Sequence, residues 1–144
     1  MYKITIKVDT KELTKELKKE LEMCMTDFVL DMKNDATTKA YENPPQDSVR
    51  TGQLGNTMKA DVKWHGNLLI GKVQTHVEYA QYVEHGTGIH ADEHRGGARS
   101  KWLGKLPDGR IRWISGQKPK HYMLRTYEEY KEKEQINKYF KINR

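Results

Sequence analysis

The chain has 144 residues, room for one domain and scarcely for two. Apolar residues, Tyr included, make up 35% and charged residues 32%, so the core is modest and part of the chain is left for loops, tails or surfaces that pack on a partner. The net charge of +6 admits an acidic partner, yet Lys and Glu alternate through 11–22 and 128–134 as they do on solvated helix faces. A single cysteine, Cys24, excludes an internal disulfide and a Cys-based zinc finger. No apolar run approaches the ~20 residues of a membrane span, and the N-terminus has no signal-peptide core, so the expectation is a soluble protein made inside the cell.

Tyr2, Ile4, Ile6 and Val8 alternate with Lys3, Thr5 and Lys7, which predicts a first strand with one buried face. Asp9 followed by Glu12 has the spacing of a reciprocal N-terminal cap. Leu13, Leu17, Leu21, Cys24, Phe28 and Met32 then recur at intervals of three and four, predicting an amphipathic helix from about Thr10 to about Ala40. Cys24 on that stripe reads as a small apolar filler. Asn43-Pro44-Pro45 stops the helix, because proline lacks the N–H and pushes its predecessor toward extended backbone. Met58 to Trp64 and Leu68 to His76, joined at His65-Gly66-Asn67, predict a hairpin. Tyr79 to His85 reads as a short helix terminated by Gly86, with Tyr79, Tyr82 and Val83 on one face as core.

From Thr87 to Ser100 the sequence has no periodicity and predicts a long mobile loop. Trp102 to Leu106 and Arg110 to Ser115 flank the turn sequence Pro107-Asp108-Gly109 and predict a second hairpin, with Trp102 and Trp113 either packed across it or exposed. A final charged helix is predicted from about Tyr122 toward Tyr139. The whole is an α+β expectation over residues 1–144. Its core spans about 2–127, with a loop at 87–100 and a charged C-terminal helix at 122–140.

Two chemistries compete for attention. His90 to His94 spells H-x-x-E-H, a zinc-peptidase spacing, but such a site needs both histidines on a long rigid helix and a third ligand. Here the pair lies in a glycine-bounded loop, and the third ligand would have to be His85, His76 or Glu84. No metal site, cofactor or catalytic residue is expected. For nucleic acid, Arg95, Arg99, Lys101, Lys105, Arg110, Arg112, Lys118 and Lys120 interleave with Trp102 and Trp113, so a small basic nucleic-acid-binding module is the alternative function.

Three ordered segments shift the balance: Val49-Arg50-Thr51-Gly52-Gln53-Leu54-Gly55-Asn56-Thr57-Met58, then Val77 to Gly88 (VEYAQYVEHGTG), then Gly116 to Met123 (GQKPKHYM). Together they resemble the gene-product-ten-like family of tailed-phage virion proteins, the head-to-tail joining or tail-completion proteins of siphophages and related prophages. The resemblance spans roughly Leu13 to Tyr127. Arg50, Thr51, Gly52 and Leu54 match the family's R-T-G-x-L; Tyr79, Tyr82, Glu84, Gly86 and Gly88 match its Y-A-x-Y-V-E-x-G-T-G; Gln117, Lys118 and Pro119 match the run before the last helix. The chain departs from the family at His121 and Arg125, where prolines are usual, and at Tyr122, where Phe is frequent.

The resemblance implies a long helix packed on a mostly antiparallel sheet and a non-catalytic protein that assembles as a ring, a hexamer being one arrangement, at the virion neck. Its partners would be copies of itself, the connector or adaptor, and the tail tube or terminator, with no membrane; direct DNA contact stays open but is not favoured. It would act in the virion after synthesis in the bacterial host cytoplasm. The structural motif residues are then Gly52, Leu54, Tyr79, Tyr82, Gly86, Gly88 and Pro119. The candidate interface comprises Arg50, Gln53, Glu84, His90, His94, Arg95, Trp102, Trp113, Gln117 and Lys118, with Arg50 and Glu84 as a polar pair within the subunit or across the ring.

Overall fold

A computed structural model describes residues 2–42, 53–92, 100–132 and 139–140. The elements, in chain order, are β1 (Tyr2–Asp9), α1 (Lys15–Tyr41), α2 (Gln53–Thr57), β2 (Lys59–His65), β3 (Leu68–Thr75), α3 (Ala80–His85), a 3-10 turn (Gly88–His90), β4 (Trp102–Lys105), β5 (Ile111–Ile114) and α4 (Tyr122–Lys131). The α+β expectation of a long helix on antiparallel strands is met.

β1, β3 and β2 form an antiparallel sheet with β3 central. The alternation seen in the sequence sorts into rows across it: Ile4, Val73 and Ala60; Ile6, Gly71 and Val62; Val8, Leu69 and Trp64. These rows face the helices, while Lys3, Lys7, Lys59 and Lys63 on the other face are exposed. Gly71 lets α1 pack close to the sheet, since a Cβ there would lie 2.5 Å from Met25 Sδ and 2.7 Å from Val29 Cγ1.

The long helix starts later than its periodicity predicts. Thr10 is buried, and its N–H and hydroxyl both bond to Asn67 O, so the sheet holds the chain extended past Asp9. Asp9 only closes a local turn on Lys11 N, and Thr14 is the true N-cap, its hydroxyl accepting from Leu17 N. Leu21, Phe28 and Met32 are buried as expected, joined by Met25, Val29, Ala36 and Ala40. Cys24 is half-buried, and burial, then the Asp27 and Glu20 charges, push its thiol up, as befits packing rather than nucleophilic use. The helix ends at Tyr41; Asn43 to Pro45 lie outside the described residues.

α4 lies beside α1 and against β1. It ends at Lys131, with Glu132 extended, and does not continue unbroken toward Tyr139. Tyr130, Tyr139 and Phe140 all pack edge-on around Phe28, at centroid distances of 5.4, 5.1 and 5.3 Å. The hydroxyl of Tyr130 donates to Asp35, and that of Tyr139 to Asp31. Lys39, largely buried, meets Glu129 at 2.8 Å.

Candidate assembly surface

The second and third signature segments, far apart in sequence, run side by side. Lys120 N bonds to Val83 O, His121 N to Glu84 O, Thr87 N to Gln117 O and Ile89 N to Ser115 O, while Gln117 N bonds to Thr87 Oγ1. Two glycines permit this contact. Gly88 and Gly116 have φ of 61° and 102°, and a Cβ on either would sit 2.2 Å from Ser115 O or 2.0 Å from Thr87 O. Gly86 ends α3 with φ 76° against the Gln117 to Pro119 backbone. The first segment reaches the same end of the sheet: Leu54 is buried, and Thr57 lies 3.5 Å from the Thr75 hydroxyl that receives Val77 N.

Glu84 is the keystone of the junction. It is 3% exposed, and its two carboxylate oxygens accept from Met123 N at 2.9 Å and Leu124 N at 3.0 Å. Those amides belong to the first turn of α4, where the helix has no intrahelical acceptor to offer them and where its dipole favours negative charge. α4 has no cap from its own chain neighbour, because His121 occupies the N-cap position with φ 47° and makes no side-chain cap bond. A glutamate 39 positions upstream performs that task. The suggested partner of Glu84, Arg50, lies outside the described residues, as do Gly52, His94 and Arg95.

α3 buries Ala80 and Glu84, not the tyrosines. Tyr79 is 37% and Tyr82 53% exposed, which corrects their assignment to the core. A six-residue helix is too short for periodicity to say which side is inward, and here the inward side is the one that meets Tyr122 and the α4 amides.

The β4–β5 ribbon stands apart as its own two-stranded sheet. Its register sets Trp102 opposite Ile114 and Leu103 opposite Trp113, so the tryptophans lie on opposite faces and do not pair across the hairpin. Trp102, 41% exposed, sets its ring beside Gly88. On the other face Leu103, Ile111 and Trp113 are 59%, 70% and 65% exposed. Asp108 in the turn accepts from Arg110, whose guanidinium holds the Asp108 carboxyl below the usual carboxylate range. Gln53 and Lys118 are exposed, whereas Gln117 is half-buried and spends its backbone groups on Thr87. His90 closes the 3-10 turn and Ala91 is extended, so H-x-x-E-H does not lie on one helix. The long 87–100 loop is accordingly structured at its start, and 93–99 are outside the described residues.

The arrangement is that of an α+β fold whose motif residues build a junction and whose ribbon exposes Leu103, Ile111 and Trp113 on one face. The chain belongs to the HK97-gp10-like family, described as "Bacteriophage HK97-gp10, putative tail-component", whose family model matches residues 5–86, more than half of its length. It is therefore a structural protein of the phage virion, of the tail-component class, which works in contact with other phage structural proteins. No curated protein and no solved structure gives a significant match. Among the described residues no helix is long and apolar enough to cross a membrane.

Proposed function

We propose that the protein is a head–tail joining or tail-completion subunit that acts by closing into a ring at the virion neck, six copies being one arrangement. The observation that carries this reading is the ribbon face of Leu103, Ile111 and Trp113, which the described residues of the subunit leave uncovered. An isolated two-stranded ribbon is marginal in water, and covering each large apolar side chain contributes roughly 1.5–3 kcal/mol. Ring closure needs a heterologous contact, one face meeting a different face of the next copy. Met23 and Leu30, 71% and 45% exposed and two helical turns apart on α1, are proposed as the apolar side chains of that second face.

Around the ribbon, Trp102, Gln117 and Lys118 extend the contact area, with Gln53 and His90 at the same interface, while Glu84, 3% exposed, acts within the subunit. Arg50, His94 and Arg95 are proposed to contribute at the same interface. The connector or adaptor lies on one side of the ring and the tail tube or terminator on the other, and the subunit performs no catalysis. Synthesis takes place in the host cytoplasm, before incorporation into the particle. The test is to locate the protein in purified particles by mass spectrometry and immunogold labelling. Label at the head–tail junction is expected; absence from complete particles overturns the proposal.

A further inference from the structure

Three side chains from distant positions converge where the end of α3 meets the start of α4. His85 closes α3, Asp92 follows the 3-10 turn and His121 immediately precedes α4; each offers one ligand atom, and these atoms lie within 4.8 Å of one another. Asp92 Oδ2 is 2.6 Å from His85 Nδ1, a hydrogen bond, and 3.9 Å from His121 Nδ1, too far for one. His121 Nδ1 is shut off from solvent without a hydrogen-bond partner, a condition shared among the described residues only by Thr5 Oγ1. Both atoms belong to residues lining one groove of about 520 Å³, together with His85, Asp92, Ile4 and Met123. His121 is also the one non-glycine residue among those described with positive φ. A left-handed conformation costs such a residue roughly 1–2 kcal/mol, and the strain persists only where the surroundings impose it.

We propose that His85, Asp92 and His121 form a site for a divalent transition-metal ion of the zinc type. Two imidazole nitrogens and a carboxylate oxygen are the donor set that borderline ions prefer, and the carboxylate supplies the negative charge. Ligand bonds of about 2.0–2.2 Å place tetrahedral ligand atoms about 3.3 Å apart. The separations of 2.6 and 3.9 Å from Asp92 Oδ2 bracket that value, and the imidazole ligand atoms lie within 4.8 Å of each other, so movements of up to about 1.5 Å bring all three onto one ion. The buried His121 nitrogen then gains the partner it lacks. Three protein ligands leave a fourth position for water, on the side of the groove.

The ion ties the exit of α3, the end of the turn and the beginning of α4 into one unit, and so fixes the root of the stretch that carries the β4–β5 ribbon. It has no need of the H-x-x-E-H pattern, since His90 and His94 take no part. This inference stands whether or not the protein forms a ring.

The full-length protein, stripped with chelator, is titrated with zinc chloride by calorimetry, and its Tm is followed with and without zinc. One zinc per chain is expected, with a rise of about 5–10 °C when zinc stands hundredfold above Kd. Asp92→Asn and His121→Asn, the latter a residue that tolerates the left-handed backbone, lower affinity at least about 100-fold, while His90→Asn with His94→Asn leaves it unchanged. X-ray absorption of the zinc-loaded wild-type protein keeps the test sound if a variant misfolds, and should show imidazole nitrogens at about 2.0 Å. Absence of stoichiometric zinc, full affinity in both ligand variants, or a zinc shell without imidazole overturns the proposal.

Discussion

Replacing Glu84 tests the junction directly, because one buried side chain holds the start of α4. Both carboxylate oxygens accept backbone N–H groups, Met123 N at 2.9 Å and Leu124 N at 3.0 Å, and Met123 is itself 5% exposed. A hydrogen bond to a charged acceptor contributes about 1.5–3 kcal/mol, so the two together are worth roughly 3–6 kcal/mol. Removing the carboxylate also removes its own cost of burial, which offsets part of that sum. Glu84→Ala should therefore destabilise the fold by about 3–5 kcal/mol. Glu84→Gln keeps one acceptor but turns an NH2 toward the other amide, and should cost about half as much. Urea unfolding followed by circular dichroism gives the midpoint and slope for each variant, and the slope should not change. Stabilities for Glu84→Ala within about 0.5 kcal/mol of wild type, or a glutamine variant weaker than the alanine one, would refute the capping role.

Glycines separate conformation from crowding. Gly66→Ala, at φ 61° in open space, should cost about 1–2 kcal/mol, whereas Gly116→Ala, at φ 102° with a Cβ 2.0 Å from Thr87 O, should cost about 2–5 kcal/mol; thermal melts that rank them the other way contradict the packing described. Alkaline stability follows from two tyrosines. Burial, then the hydrogen bond to Asp35, pushes the Tyr130 hydroxyl well above its usual range, and burial with the bond to Asp31 pushes Tyr139 up to about 12. Each group binds its proton more tightly folded than unfolded, so this contribution is intact below pH ~10 and is lost as pH rises toward the folded values. Stability measured from pH 8 to 11.5 should fall above pH ~10, and the fall should be smaller in Tyr130→Phe.

Local signals in the chain were legible where local physics decides the outcome. The Ile4, Ile6 and Val8 alternation, the Leu21, Phe28 and Met32 stripe, and the Gly66 and Gly109 turns all appear close to their expected places. The helix start was displaced because a long-range bond, Thr10 to Asn67, holds the chain in the sheet beyond the first capping residue. Tyr79 and Tyr82 were placed inward by periodicity, yet the tertiary partner of α3 is the N-terminus of α4, which calls for a carboxylate. Nothing local marks Glu84 as buried; its signal lies in the lack of a capping residue before Tyr122, where His121 stands instead. His85, Asp92 and His121 are likewise united by the pairing of 83–89 with 115–121 and by the bond from Asp92 N to His85 O. The eye-catching His90 and His94 were neighbours in sequence, a weaker criterion than convergence in space.

Ring assembly through the ribbon is tested most directly by placing a photo-crosslinking amino acid at position 113, in place of Trp113, and irradiating purified particles. Crosslinks from that position to another copy of the same chain, giving a ladder of oligomers on a denaturing gel, are the expected result. Particles that contain the protein but yield no link from position 113 to a second copy would contradict it.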